Sequence, residues 1–412
     1  MNRRRRLLLI SFLLLLIAAG LYVPFHSWRT HARLRSAREA LAAQQFDRAR
    51  EHLLAFLETQ PNSAEGHLLL ARACRRGGRL DEAEVALDVC ELLRVPAEDV
   101  ALERALITVQ QGDLSLEGEL QAQVEAGHPE SPRILEALVG GYRKNYLLRS
   151  MLSALGTWLE REPGCVEALL LRGWVHEQQK NYEAAVEDYR LAVESDPGHD
   201  QARLHTAQAL LLAGKPGEAV ATFEELHRRK ADPRAALGLA QCWRQLGRTA
   251  QARQLLQQQA AEQPGDFPVL LELGQLLLET GHAADAETWL RKALKRSPHD
   301  YQAHYSLAAS LGQQGKLDEE RKIQARTQEL RDDLAHMAEL MEKLQAQPND
   351  AALRYDIARV FLRSGEEKEG VLWLQSALRA NPSYKPAHRA LADYYEKTHR
   401  PSLAARHRQL SR

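Results

Sequence analysis

The stretch Val166–Pro197, VEALLLRGWVHEQQKNYEAAVEDYRLAVESDP, decides the fold because it contains two short amphipathic segments separated by a tight turn. Leu170 and Trp174 recur at helical spacing in the first segment, and Tyr189 and Val193 do so in the second. A proline inside a helix costs about 3 kcal/mol, so the proline that ends the stretch marks the end of the second helix. The stretch therefore predicts a helix–turn–helix hairpin.

The same pattern recurs along most of the chain with a period of about 34 residues. Prolines close successive units at Pro61, Pro96, Pro129, Pro163, Pro197, Pro264, Pro298, Pro348 and Pro382. Eleven units begin near Thr30, Ala64, Glu98, Pro132, Val166, Asp200, Pro233, Phe267, Tyr301, Ala351 and Lys385. A hairpin of this size cannot bury its apolar face alone, so consecutive hairpins must stack. The period predicts an all-α solenoid of helix–turn–helix units.

Small and aromatic residues occur at matching positions in the middle units. They are Gly173, Tyr182, Ala185, Tyr189, Ala192 and Pro197 in one unit, and Leu273, Gly274, Gly281, Ala286, Ala293 and Pro298 in another. This pattern resembles the tetratricopeptide repeat family, and the layout of the chain resembles its membrane-anchored bacterial members. The units from Glu98 and Pro132 match poorly. The resemblance implies a right-handed superhelix in which the first helix of each unit lines a concave groove.

By the same resemblance, the groove would bind a protein or peptide through first-helix positions. These candidate binding residues are Trp174, Gln208, Gln241, Arg244, Gln275, Tyr305, Tyr355 and Arg359. The three glutamines are equivalent in successive units, and a row of amides can hydrogen-bond an extended backbone because each offers a donor and an acceptor. The alternative is that glutamine serves there only as a good helix former on an exposed face.

The first residues predict a membrane anchor. Residues 1–6 form a basic head, and Leu7–Phe25 is an uncharged run long enough to span a bilayer as a helix. The positive head favours a cytoplasmic N-terminus, which would place most of the chain in the periplasm of a bacterium, tethered to the inner membrane. A cleaved signal peptide, with its cleavage site near residues 18–20, is the alternative.

One unit, Tyr301–Asp350, is longer than the others. We expect solenoid units over residues 30–330, a helical insertion over 331–350 and two further units over 351–412. Either the long second helix breaks near Asp332–Asp333, where an aspartate could cap a new helix, or the solenoid splits there. The insertion either packs along neighbouring units or presents a heptad-like seam for self-association, formed by Leu330, Leu334, Met337, Met341 and Leu344.

The sequence contains no recognisable catalytic or cofactor-binding pattern. His176 begins an HExxH-like string, but Lys180 occupies the place of the second histidine, so a zinc site is not expected. Formal net charge is zero, and residues 1–35 contain seven arginines and no acid, so the rest is mildly acidic and disfavours nucleic-acid binding. Cys74 and Cys90 could pair across one hairpin or remain buried thiols.

Two functions remain from different classes. The first is a non-enzymatic, membrane-tethered scaffold that binds protein or peptide partners and uses no cofactor or metal. The alternative is an accessory or regulatory subunit of a membrane-associated enzyme complex that faces the cytoplasm. The side of the membrane on which the solenoid lies separates them.

Overall fold

The computed structural model describes residues 31–230 and 232–412, and every regular element there is an α-helix. The chain divides into two compact units after Ala126. The described part of the first unit contains α1 (31–42), α2 (Phe46–Leu57), α3 (Ala64–Arg76), α4 (Leu80–Leu92), α5 (Ala97–Gln110) and α6 (Glu117–Glu125). Helices α3 and α5 begin at or within one residue of the repeat starts that the sequence predicts.

The second unit contains sixteen helices in the described residues. They are α7 (Ser131–Lys144), α8 (Leu148–Arg161), α9 (Val166–Gln178), α10 (Tyr182–Ser195), α11 (Asp200–Leu212), α12 (Pro216–Lys230), α13 (Pro233–Gln245), α14 (Thr249–Glu262), α15 (Phe267–Glu279), α16 (Ala283–Arg296), α17 (Tyr301–Gln313), α18 (Leu317–Ala346), α19 (Ala351–Arg363), α20 (Glu367–Ala380), α21 (Lys385–Lys397) and α22 (Pro401–Leu410). The predicted all-α solenoid of helical hairpins is confirmed.

Glycines at helix crossings explain why the pattern of small and aromatic residues recurs. A Cβ atom added to Gly173 of α9 would lie 2.5 Å from Cε1 of Tyr189 on α10. In the same way, a Cβ atom on Gly238 of α13 would lie 2.4 Å from the ring of Phe223 on α12. Both rings are fully buried, so each fills the space that the missing glycine side chain leaves.

The apolar core of the second unit follows the stack of hairpins. One continuous cluster of buried side chains runs from Ala185 on α10 to Leu311 on α17. Separate clusters hold α18 to α19 and join α19 to the last hairpin, α21–α22. Each hairpin therefore buries its apolar face mainly against its neighbours in the sequence, as expected of a solenoid.

Helix α18 is the long helix of the irregular unit, and it is continuous for 30 residues. The expected break at Asp332–Asp333 is therefore wrong: no cap interrupts the helix there. The solenoid does not split at this point either, because α17 and α19 belong to the same compact unit. The sixteen additional residues lengthen the helix by about 24 Å.

The heptad-like seam of α18 packs mainly against its own chain. Leu330 and Leu344 are buried, and Met337 and Met341 pack against the cluster that contains Ile357 of α19. Of the five seam residues only Leu334 is exposed. Two of the five seam residues are thus buried and two are half-buried, and self-association through this seam stays a prediction.

The predicted head and anchor, residues 1–6 and Leu7–Phe25, lie outside the described residues. Among the helices of residues 31–230 and 232–412, none combines the length and the apolar character that a membrane span requires.

We predict that Gly173→Ala destabilises the second unit by about 1–3 kcal/mol, because the new methyl group must displace the buried Tyr189 ring. Gly217→Ala is the matched control, since no atom lies within 4 Å of the position of its added Cβ. Thermal or urea unfolding of the two variants measures the difference. Equal stability of the two variants would contradict the crossing geometry.

Candidate functional site

Two of the predicted groove residues link consecutive repeats. On α13, Gln241 Nε2 donates to Glu272 Oε2 of α15 at 3.1 Å, and Arg244 Nε donates to Glu272 Oε1 at 2.5 Å. Arg244 Nη1 also reaches Glu279 Oε1 at 2.6 Å. Glu272 is buried, so its carboxylate needs these donors. The glutamine and the arginine thus stabilise the stacking of α13 on α15.

The first unit contains the same network at the same sequence separations. Arg72 Nε and Arg75 Nε donate to the two oxygens of Glu103 at 3.0 and 3.1 Å, and Arg75 Nη1 donates to Gln110 Oε1 at 3.1 Å. The spacings of 31, 28 and 35 residues equal those around Glu272. A charged bridge between first helices of successive repeats is therefore a recurring structural device of this chain.

The other two glutamines also make contacts within the chain. Gln275 Nε2 donates to Ser306 Oγ of α17 at 3.4 Å. The side chain of Gln208 hydrogen-bonds that of His205, whose pKa is lowered mainly by burial. The side chains of the predicted glutamine row thus already form hydrogen bonds within the protein, some between repeats and some within one repeat. The role of this row and of the half-buried Trp174 in binding a partner stays a prediction.

Two of the three aromatic candidates, Tyr305 and Tyr355, lie in the C-terminal third of the chain. Tyr305 is 53% exposed and stacks on Tyr301 with ring centroids 6.1 Å apart. Tyr355 is half-buried and meets Tyr384 edge to face at 5.8 Å. The Arg359 guanidinium lies 6.0 Å from the Tyr355 ring centroid and is exposed. These side chains leave polar and aromatic surface available on α17 and α19.

A cleft of about 660 Å³ opens where the long helix α18 separates α17 from α19. Its apolar lining includes Tyr301, Leu334, Met337 and Phe361. Leu334 is 56% exposed, although it is an aliphatic side chain. The stacked Tyr301–Tyr305 pair links this lining to the exposed face of α17. The cleft is the feature that the sequence reasoning missed, and its only sequence signal is the 50-residue unit that contains α18.

Histidines near the start of several first helices hold the preceding turn. The Nε2 atoms of His67, His304 and His388 donate to the carbonyl oxygens of the residues six positions earlier, at 2.9 Å in each case. These acceptors are the closing prolines Pro61, Pro298 and Pro382. A proline followed six residues later by histidine is thus a structural motif rather than a ligand set.

The residues that could carry metal or thiol chemistry are not assembled for it. His176 Nε2 lies 3.7 Å from Asp188 Oδ2, but this carboxylate already forms an ion pair with Arg172. Burial lowers the pKa of the His176 imidazole. No group of metal-binding side chains occurs within residues 31–230 and 232–412. Cys74 and Cys90 are free buried thiols, so the structure does not contain the bridge that the sequence left open.

We predict that Glu272→Ala destabilises the second unit by about 1.5–3 kcal/mol, because it removes the buried carboxylate that accepts from Gln241 and Arg244 and leaves Arg244 only the exposed Glu279. Glu279→Ala is the control: this carboxylate also pairs with Arg244 but is 52% exposed, and its loss should cost about 1 kcal/mol or less. Urea unfolding compares the two. A smaller loss for the Glu272 variant than for the control would refute the bridge.

Sequence profiles described as tetratricopeptide repeat match residues 210–270, 244–311, 34–89 and 152–200, which together cover about half of the chain. Cellulose synthase operon protein C of Pseudomonas fluorescens (strain SBW25) is 28% identical over 167 residues, which is 34% of this chain and 13% of that protein. This chain therefore spans only a small part of that relative's length.

Two solved structures are similar to parts of this chain. A tetratricopeptide repeat protein from Parabacteroides merdae is 19% identical, with a TM-score of 0.38 and coverage of 69% of this chain and 99% of that one. PilW, a type IV pilus biogenesis factor, is 20% identical, with a TM-score of 0.44 and coverage of 48% and 92%. On the matched sequence profiles and the stacked helical hairpins, the chain belongs to the tetratricopeptide repeat family.

Proposed function

We propose that this protein is a non-enzymatic scaffold that binds a segment of a partner protein at the cleft beside α18. Tetratricopeptide repeat proteins commonly mediate protein–protein interactions, and the two profile matches support that class here. The single observation that carries the proposal is the apolar cleft of about 660 Å³ next to the exposed Tyr305.

The dimensions and chemistry of the cleft suit a side chain of a partner. Sites that bind small molecules or side chains are mostly apolar concavities of about 300–1,000 Å³ with a few polar groups. Tyr301, Leu334 and Phe361 supply apolar contact, and Arg296 and Glu366 supply charge. Tyrosine and arginine side chains, such as Tyr301 and Arg296 here, are typical of the residues that contribute most of the binding energy. The partner segment would therefore insert one large apolar residue.

The predicted groove residues supply a second contact surface in this proposal. Tyr355 and Arg359 on α19, and Tyr305 on α17, would contact the chain of the partner on either side of the inserted residue. Gln208, Gln241 and Gln275 have smaller roles, because their side chains already hydrogen-bond within the protein.

The proposed location is the periplasmic face of a bacterial inner membrane, with Leu7–Phe25 as the anchor. The basic residues 3–6 support this orientation, because positive residues favour the cytoplasmic side. A relative named for the cellulose synthase operon is consistent with a role in assembling an envelope complex. The alternative remains an accessory subunit of a membrane-associated enzyme complex that faces the cytoplasm.

We predict that Leu334→Ser weakens partner binding about 5- to 30-fold, the loss expected for a side chain that contributes 1–2 kcal/mol. Crosslinking followed by affinity capture of the C-terminally tagged chain identifies the partner, and titration of the purified partner measures the loss. Leu372→Ser is the matched control, because Leu372 is equally exposed (55% against 56%) but lies outside the cleft. Equal losses for the two variants would place the binding surface elsewhere.

A reporter fused after Arg412 tests the location. We expect alkaline phosphatase to be active there and a cytoplasmic reporter such as green fluorescent protein to be dark, because the solenoid would be exported. The opposite pattern would favour the cytoplasmic accessory subunit.

A further inference from the structure

The second unit closes on itself at one small contact. The ring of Tyr146, in the turn between α7 and α8, lies 6.1 Å from the ring of Trp373 on α20. Gln345 Nε2, near the end of α18, donates to the backbone oxygen of Tyr146 at 2.9 Å across 199 residues of sequence. Early and late repeats of this unit therefore touch at the turn that contains Tyr146.

Tyr146 lies in a turn with a left-handed backbone, with φ 58°. The corresponding turns of other repeats give this conformation to glycines such as Gly214 and to residues with side chains such as Gln44 and Lys180. A residue with a side chain pays about 1–2 kcal/mol for this conformation. The contact with Trp373 is a reason for a large aromatic side chain at this position.

Three cations lie beside the contact without a carboxylate partner. Arg354 of α19 is 1% exposed, yet its guanidinium donates only to neutral acceptors: the backbone oxygen of Pro348, at 3.2 Å from Nε, and the hydroxyl of Ser376. Arg379, one turn beyond Ser376 on α20, has a buried Nε with no hydrogen-bond acceptor. Lys144 ends α7, two residues before Tyr146. In the described part of the chain, no acid forms an ion pair with any of the three.

Other arginines of the same protein, in contrast, form ion pairs with buried carboxylates. Arg75 is paired with Glu103, Arg172 with Asp188, and Arg244 with Glu272, and each of these three carboxylates is buried. Burying a charge without a counter-charge is costly, and arginine does not escape the cost by losing its proton at neutral pH. A buried donor without a protein acceptor is satisfied in a native protein by another group, such as a water molecule or an ion.

The electrostatics agree with the contacts. Burial, and then the charge of Arg379, lower the pKa of Arg354 to about 10. Burial also lowers the pKa of Arg379. The pKa of Lys144 is lowered by the surrounding protein and then by Arg379 and Arg143, although Lys144 itself lies at the exposed edge of the contact. Arg379 is thus near a cation of α19 and one of α7, so positive charge is concentrated where the early and late repeats of the second unit touch.

We propose that Lys144, Arg354 and Arg379 form a binding site for a phosphate-class oxyanion, which neutralises these cations and holds the Tyr146–Trp373 contact closed. Lys144 and Arg379 have donors available for the anion, whereas Arg354 is held by Pro348 and Ser376 and contributes fixed charge. A phosphate group carries nearly two negative charges at neutral pH and offers three acceptor oxygens, so it matches several cations better than a carboxylate does. The group could be inorganic phosphate or the phosphoryl group of a monoester.

Isothermal titration calorimetry of the full-length protein with inorganic phosphate tests the site, with sodium chloride at matched ionic strength as the reference. We expect one phosphate to bind per chain, and Lys144→Gln to weaken it at least tenfold. Lys144 is exposed, so this variant should fold. Arg389→Gln, which removes an exposed cation of α21 that is not one of the three proposed residues, is the control and should bind phosphate as the unmodified chain does.

Thermal unfolding supplies a second readout whose sign separates binding from structure. In chloride alone, Arg379→Gln should raise the unfolding midpoint by about 2–4 °C, because it removes uncompensated charge, and it should no longer respond to phosphate. A merely structural arginine would give a lower midpoint and an unchanged phosphate response. That result, or phosphate heats no larger than those of chloride, would overturn the site.

The source of the anion follows from a parallel titration with O-phosphoserine. Binding of both phosphate and O-phosphoserine would support a site open to phosphoryl groups on larger molecules, and binding of inorganic phosphate alone would support a site for the free ion. Failure of both ligands would reject the proposal and leave the cleft beside α18 unaffected.

Discussion

The structure depends on one constraint: a hairpin of about 34 residues cannot bury its apolar face without a neighbour. Close helix crossings are the local solution. Gly173 and Gly238 leave room for the rings of Tyr189 and Phe223, so helix axes approach closely and one buried cluster continues from α10 to α17. Similar close approaches occur at Gly66, against Phe56, and at Gly274, against Leu290, so stability is distributed along the array.

Charged bridges add a second layer of contact between repeats, and they change the interpretation of the predicted groove. The carboxylates of Glu103 and Glu272 are buried between successive first helices and accept from side chains 28 and 31 residues earlier. Gln241 and Arg244, which the family resemblance places among binding residues, serve in this bridge. A polar side chain on the first helix of a repeat can therefore have a structural role, and exposed aromatic side chains are the better indicators of a binding surface.

The long helix α18 is where the array departs from its period, and the features that suggest function lie around it. Its continuous 30 residues separate α17 from α19 and open the apolar cleft. Its C-terminal end carries Gln345, which binds the turn at Tyr146. One insertion thus creates both the apolar cleft and the contact that closes the second unit. The unpaired cations beside this contact give it a chemical character that the regular repeats lack.

The sequence by itself determined the hairpins, their period and their family, because helical spacing, closing prolines and small residues at crossings are local signals. The continuity of α18 was not decided by such signals: Asp332 and Asp333 are possible caps, but packing against α19 favours an unbroken helix. Only the tertiary structure decided which polar residues bridge repeats, since the partner acids lie about 30 residues away. It also brought Tyr146 to Trp373, because a contact between early and late repeats depends on the summed curvature of all the hairpins between them, and no single stretch of sequence encodes that sum.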